Sequence, residues 1–176
     1  NGAVAVIVTA SDRANDLKQP PVYIAGMGQG HPGNPRQAGY ENEVNTGARI
    51  ARDTAYSMAG VGPDDIDIRE LYDCYTYTTL VTLEDYGFCE KGEGGQFVLN
   101  GRIGLGGALP VNPDGGGMSS NHPGMRGIFL IIEAVRQLRG GQGKRQVAGA
   151  ETALVHGTGG TLGTMHSGAT LILTRD

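Results

Sequence analysis

The chain has 176 residues, a formal net charge of −4 and 31 glycines, and this length is sufficient for one domain with a substantial core. The negative charge excludes a basic surface for nucleic acid or an anionic membrane, and no apolar run approaches the length that spans a bilayer. The two cysteines, Cys74 and Cys89, fit neither a disulfide framework nor a zinc-site spacing. We therefore expect a soluble, cytoplasmic protein that binds no nucleic acid, no membrane and no metal.

The predicted elements begin with residues 3–9, an apolar run that is typical of a buried strand. A polar link follows, and the adjacent prolines at positions 20 and 21 mark a segment boundary. A strand at this position with no partner of its own indicates a piece of a larger protein. We expect the chain to be a C-terminal half.

The rest of the chain alternates between strand and helix patterns. Apolar residues at helical spacing predict helices over residues 45–60, 72–87 and 123–138. Short apolar runs predict strands at residues 22–25, 66–71, 96–99, 109–112, 153–156 and 169–174, and clustered glycines predict a loop over residues 26–39. This alternation predicts an α/β fold in which helices cover a mixed or parallel sheet.

Four residues with chemically useful side chains follow predicted strands: Tyr72, Cys74, His122 and His156. Ligands of open α/β sheets bind at the carboxyl ends of the strands, so we expect these side chains to form one site. Pro123 places His122 at the start of a helix, where backbone N–H groups disfavour a cationic ring. A neutral imidazole in that position can accept a proton or stabilise an oxyanion.

Each of these residues also has a purely structural interpretation. His122 could lie in a surface turn, Cys74 could be a small apolar residue at a helix start, and His156 could end its strand by binding backbone groups. Cys89 follows a glycine–phenylalanine boundary and is interpreted as structural. The residues taken alone leave both interpretations open.

Three motifs occur in order along the chain: Glu70-Leu-Tyr-Asp-Cys-Tyr75, the loop of residues 112–124 that ends in His122-Pro123-Gly124, and Ala153-Leu-Val-His-Gly-x-Gly-Gly160. Together they resemble the C-terminal half of the thiolases, most closely the sterol-carrier-protein type and the bacterial lipid-transfer thiolase-like proteins. The resemblance implies the C-terminal half of a five-layer αβαβα subunit. In that arrangement residues 1–20 are the last strand and linker of the N-terminal half, and residues 21–176 are the C-terminal domain.

The resemblance also implies roles for individual residues. The nucleophile of this family is a cysteine in the N-terminal half, which His122 would activate while forming part of an oxyanion hole. Cys74 would be the acid and base at the substrate α-carbon, and His156 and Tyr72 would position the thioester. The implied substrate-binding residues are Asn121, Thr158, Gly159 and Gly160.

The function implied by the resemblance is acyl transfer on coenzyme A thioesters, by Claisen condensation or thiolysis, in lipid metabolism. Coenzyme A enters as a thioester substrate, and no cofactor is permanently bound. The implied partners are the N-terminal thiolase half, a second copy in a homodimer, and, in some bacterial relatives, a small OB-fold, zinc-ribbon protein.

Two departures from the family pattern keep other functions open. Tyr72 occupies the position of the family's asparagine or histidine, as in relatives that cleave steroid side-chain thioesters of coenzyme A. A retro-aldolase acting on a β-hydroxyacyl-CoA, with Tyr72 as proton carrier, is therefore one alternative. A catalytically degenerate lipid-binding or scaffold subunit is another. The presence of His122 favours acyl transfer.

Overall fold

The computed structural model describes residues 3–31, 44–120, 126–159 and 167–176. The strands in these ranges are β1 (Tyr23–Gly30), β2 (Ile68–Glu70), β3 (Thr152–Gly159) and β4 (Ser167–Thr174). The helices are α1 (Ser11–Ala14), α2 (Gly47–Ala59), α3 (Thr76–Asp85), α4 (Gly94–Phe97), α5 (Gly116–Ser119) and α6 (Arg126–Leu138). Short 3-10 turns cover Pro63–Asp65, Leu99–Gly101 and Gly143–Arg145.

The four strands form one mixed sheet in the order β1-β4-β3-β2. β4 pairs antiparallel with both β1 and β3, whereas β2 runs parallel to β3, with Glu70 opposite Val155. The mixed sheet with helices confirms the predicted α/β class. Because β2 and β3 are parallel, their carboxyl ends lie at the same edge of the sheet.

Helices cover the two faces of the sheet, and each face has its own apolar core. On the first face α6 packs on β2 and β3, through Ile68, Tyr72, Leu130, Ala134, Leu138, Ala153 and Val155. On the second face α2 and α3 contribute, through Ala48, Ala55, Leu71, Leu83, Tyr86, Leu154 and Ile172. Side chains alternate between these faces along each strand, so the position of a residue in its strand decides which core it joins.

The predicted glycine loop of residues 26–39 is wrong for its first part, because Gly26, Gly28 and Gly30 are in β1. A Cβ atom at Gly28 would lie 1.9 Å from the backbone oxygen of Ala51 in α2. These glycines therefore serve a close helix-on-strand approach. The rest of the predicted loop, beyond residue 31, lies outside the described residues.

Three further sequence predictions differ from the structure. Residues 3–9 are exposed and unpaired, with Ile7 91% exposed, because no strand in the described ranges pairs with them. The strand predicted at residues 96–99 is replaced by α4, where local helical bonds such as Val98 N–H to the Gly94 carbonyl satisfy the backbone. The strand predicted at residues 109–112 is a single bridge between Val111 and Arg69.

Candidate active site

Tyr72, Asp73 and Cys74 follow β2 directly, at the carboxyl edge of the sheet. Tyr72 is buried in the core beneath α6, and Cys74 is half-buried immediately before α3. The Cys74 thiol lies 3.5 Å from the Thr78 hydroxyl, to which it donates a hydrogen bond. The strand end thus presents a phenol and a thiol two residues apart.

Asp73 and Asn112 hold the glycine-rich loop against this strand end. The Asp73 carboxylate accepts hydrogen bonds from the N–H groups of Gly117, at 2.7 Å, and Met118, at 3.2 Å. The Asn112 side chain accepts from the Leu71 N–H at 2.7 Å and donates to the Leu71 carbonyl at 2.9 Å. Both contacts are formed by groups far apart in sequence, so the loop position is a product of tertiary folding.

The run of glycines in this loop has a direct structural reason. Gly116 has a φ of +69°, and a Cβ atom on it would lie 2.0 Å from the Asp73 Oδ2 atom. A Cβ atom on Gly117 would lie 3.0 Å from Asp73 Oδ1. Only residues without a side chain let the backbone N–H groups approach the carboxylate so closely.

Arg126, the first residue of α6, connects the loop to Tyr72. Its guanidinium Nη2 atom lies 2.6 Å from the Asp114 Oδ2 atom, and its positive charge lowers the pKa of the Tyr72 phenol. Residues 121–125 lie outside the described residues, and with them Asn121 and His122. Before that segment the Met118 N–H donates to Asp73, and after it Arg126 pairs with Asp114.

The environment of Tyr72 keeps its phenol protonated at neutral pH. Burial raises its pKa above the usual value of 10.0, and the neighbouring Cys74 and Asp73 add to this effect. The backbone hydrogen bond and the positive charge of Arg126 act in the opposite direction. Tyr72 is thus a hydrogen-bond donor at rest, and Arg126 is the group that favours its phenolate.

His156 lies on the other face of the sheet. Its side chain is 1% exposed, and its ring packs edge-on against Tyr86 with a centroid distance of 5.5 Å. Alternation along β3 places His156 with Leu154 in the second core, whereas Val155 joins Tyr72 in the first. Among the contacts of the described residues, Tyr72 therefore lies with Cys74 at the first core and His156 with Tyr86 at the second.

The third predicted loop is partly strand. Thr158 and Gly159 extend β3 past His156, because they pair with Gly168 and Ser167 of β4. Gly160 lies outside the described residues. The binding roles expected for these residues stay predictions.

Glu70 is a member of this region that the sequence analysis did not assign. It is fully buried at the last position of β2, and neither carboxylate oxygen has a hydrogen-bond partner in the described part of the chain. Burial raises its pKa well above the usual value of 4.5, and the nearby carboxylates of Asp114 and Glu133 raise it further, whereas Arg126 lowers it. An acidic residue at the end of an apolar strand was the available sequence signal.

Two kinds of feature are absent from the described ranges. No group of three or more His, Cys, Asp or Glu side chains there could hold a metal ion. None of the helices found there has the length and apolar character needed to cross a membrane.

Comparison with known proteins gives consistent matches. The sequence profile described as "Thiolase C-terminal domain-like" matches residues 36–175. The acetyl-CoA acetyltransferase of Methanothermobacter thermautotrophicus is 40% identical over 93% of this chain and 43% of its own length. The 17-hydroxy-3-oxo-4-pregnene-20-carboxyl-CoA lyase of Mycobacterium tuberculosis is 40% identical over 92% of this chain and 42% of its own length.

Solved structures agree with these matches. The Ltp2-ChsH2(DUF35) aldolase superimposes with a TM-score of 0.76 and 32% identity, covering 93% of this chain and 42% of that one. An SCP2-thiolase-like protein from Mycobacterium smegmatis superimposes with a TM-score of 0.59 at 19% identity over 88% of this chain and 29% of that one, which supports the fold alone. The chain therefore spans less than half the length of these relatives.

Proposed function

Because the chain belongs to the thiolase C-terminal domain family, we propose that it supplies half of the active site of a coenzyme A thioester acyltransferase. The observation that supports this function is the position of Cys74 beside Tyr72 at the end of β2. Asp73 ties that strand end to the glycine loop through its 2.7 Å hydrogen bond with Gly117. The same loop leads into the segment that contains His122.

In this proposal the residues of the site divide the steps of thiolase chemistry among them. Condensation and thiolysis require a thiolate that holds the acyl group, a base for the α-proton and donors for the thioester oxygen. Cys74 exchanges the α-proton, and His122 activates the nucleophilic cysteine of the N-terminal half. The thioester oxygen is bound by Asn121 and by backbone N–H groups of residues 158–160. His156 acts indirectly, because its packing on Tyr86 supports the end of β3.

A second candidate function is retro-aldol cleavage of a β-hydroxyacyl-CoA. It is favoured by the Tyr72 phenol, whose deprotonation Arg126 assists, and by the similarity to a solved aldolase. Tyr72 as phenolate would take the proton of the β-hydroxyl group, and the Cα–Cβ bond would break to give a carbonyl compound and a thioester enolate. Cys74 would then protonate the enolate carbon.

The two functions can be distinguished by the substrates that the full-length protein, with its proposed N-terminal half, converts. Acetoacetyl-CoA with coenzyme A is expected to yield acetyl-CoA, and the Cys74→Ser variant is expected to lose about 10²- to 10⁴-fold in rate, as for removal of a general acid–base group. Cys89→Ser is the matched control with an unchanged rate, because burial raises the pKa of Cys89 to about 11 and keeps its thiol protonated.

Three outcomes distinguish the candidates. Thiolysis that is abolished in Cys74→Ser and in His122→Ala supports acyl transfer. Release of an aldehyde or ketone from a β-hydroxyacyl-CoA, without thiolysis and with loss in Tyr72→Phe, supports the aldolase. Thiolysis at full rate in His122→Ala would overturn the main assignment.

The expected partners and location extend the same proposal. The full-length protein is proposed to be a cytoplasmic homodimer, which light scattering of the purified protein would test by its mass. The solved aldolase that superimposes on the chain is named as an assembly of Ltp2 and ChsH2. By that analogy, a small OB-fold, zinc-ribbon protein is a proposed additional partner.

A further inference from the structure

Thr78 carries a buried hydroxyl group in the first turn of α3, to which the proposed function assigns no role. Its side chain is 6% exposed, and its Oγ1 atom lies 3.5 Å from the Cys74 Sγ atom, which donates a hydrogen bond to it. Cys74 is half-buried and packs against the first core. The thiol is therefore held between that core and a hydroxyl group that is largely shielded from water.

The neighbouring Thr79 shows that this contact is particular to Thr78. Thr79 is buried to nearly the same extent, at 7% exposed, but its hydroxyl donates to the Tyr75 carbonyl, four residues back, at 3.4 Å. That bond is usual for a threonine in a helix. The two adjacent threonines are therefore alike in burial and differ in the group that their hydroxyls contact.

The carboxylate next to Cys74 is occupied by other partners. The two Asp73 oxygens accept from the N–H groups of Gly117, at 2.7 Å, and Met118, at 3.2 Å. An ionised carboxylate can only accept hydrogen bonds, whereas a hydroxyl group can accept from a thiol and, after rotation, donate to a thiolate. Thr78 is thus suited to both protonation states of Cys74.

We propose that Thr78 is a positioning residue for Cys74. Its hydroxyl fixes the direction of the thiol at the end of β2, and it donates to the sulfur when the Cys74 proton passes to the substrate α-carbon. The importance of this for catalysis rests on the proposed function. The hydrogen bond does not depend on that function, and its effect on the thiol can be measured without a substrate.

The test measures the rate at which iodoacetamide alkylates Cys74 in the full-length protein at neutral pH, with each cysteine followed by mass spectrometry of its peptide. The thiolate is the reacting form. Thr78→Val, which replaces the hydroxyl by a methyl group, is expected to slow this alkylation about tenfold, the effect of losing one hydrogen bond to a charged group. Thr78→Ser keeps the hydroxyl and is expected to retain most of the wild-type rate.

Two controls separate this effect from a general change in packing. Thr79→Val makes the same substitution at the adjacent buried position and should leave the alkylation rate of Cys74 unchanged. Cys89, followed in the same samples, should keep its own rate in every variant. Thr78→Ala removes the hydroxyl without adding bulk, and it should show the same loss as Thr78→Val if the valine variant does not fold.

The activity of the full-length protein connects this measurement to the reaction. The kcat of Thr78→Val is expected to fall about tenfold with a smaller change in KM, because the lost hydrogen bond acts on proton exchange. A Cys74 alkylation rate that is unchanged in Thr78→Val, or equally reduced in Thr79→Val, would overturn the proposal. Slower alkylation in Thr78→Val alone, together with a wild-type kcat in Cys74→Ser, would support the positioning and overturn the proposed function.

Discussion

Glu70 is a buried acid with more negative than positive groups around it. Asp114, Glu133 and Asp73 all raise the pKa of its carboxyl in addition to the effect of burial, and Arg126 is the one cation that lowers it among these neighbours. The guanidinium of Arg126 already pairs with Asp114 at 2.6 Å. An ionised Glu70 would therefore compete for a partner that is in use, and its neutral form is the one compatible with the structure.

If Glu70 is protonated in the folded protein, the free energy of unfolding should depend on pH. Its pKa is raised in the folded state, so the folded protein retains a proton that the unfolded chain releases near the usual value of 4.5. The free energy of unfolding should therefore fall as pH rises from that value until the pKa of the folded state is passed. Glu70→Gln, which mimics the neutral acid, should remove this slope and be more stable than the wild type at neutral pH.

Urea denaturation of the full-length protein at a series of pH values measures this slope. Glu90→Gln, at an exposed position in the described structure, is a control that should keep the wild-type slope. A Glu70→Gln variant whose stability depends on pH in the same way as the wild type would show that Glu70 is ionised in the fold.

At the scale of elements, the packing of α2 on β1 depends on three glycines. A Cβ atom at Gly26, Gly28 or Gly30 would lie 1.9 to 2.3 Å from a backbone oxygen of α2. Because the nearest atoms belong to the backbone of α2, no flexible side chain can move aside to relieve the contact. The small alanines Ala48, Ala51 and Ala55 on α2, all fully buried, complete this close approach.

Substitution of Gly28 by alanine should accordingly separate the helix from the strand. Overpacking against backbone is expected to cost about 3 kcal/mol of unfolding free energy, measured by urea denaturation of the full-length protein. Gly127→Ala is the matched control, because its Cβ would meet no atom within 4 Å in α6 and should stabilise the helix by about 0.5 kcal/mol. Equal effects of the two substitutions would contradict the packing described.

The same elements show what the sequence could predict and why it failed elsewhere. The apolar stripes of α2 and α6 and the strand before Tyr72 are local patterns, and the structure has these elements near their predicted positions. The loop prediction is wrong for the glycines of β1, because glycine is required there by a contact with another element, the helix α2. The buried strand predicted at residues 3–9 is wrong, because an apolar pattern indicates that a segment suits a sheet but not that a partner strand is present.

The residues of the candidate site also fall into those that the sequence could predict and those that it could not. Tyr72 and Cys74 could be found from residue type and from their place after a strand. Asp73, Asn112 and Arg126 were not found, because their partners lie more than 40 residues away for the first two and their roles exist only in three dimensions. The face on which His156 lies could have been derived from strand alternation, once the full length of β3 was known.

For the whole molecule, the decisive fact is that this chain spans less than half the length of its relatives. It offers a strand end with a phenol and a thiol, a loop fixed by Asp73 and Asn112, and an ion pair between Arg126 and Asp114 of that loop. The proposed function assigns the nucleophilic cysteine to the N-terminal half. The exposed apolar side chains of Ile7 and Val8 are in the segment that the domain prediction assigns to that half.

Acyl transfer and aldol cleavage have one step in common, which is proton exchange at the substrate α-carbon. Exchange of the α-protons of acetyl-CoA in deuterated water by the full-length protein, followed by mass spectrometry, measures this step without the rest of the reaction. The proposed role of Cys74 predicts exchange in the wild type and in Cys89→Ala, and its loss in Cys74→Ala. Exchange at the wild-type rate in Cys74→Ala would contradict the account, because the group at the end of β2 would then not act on the substrate carbon.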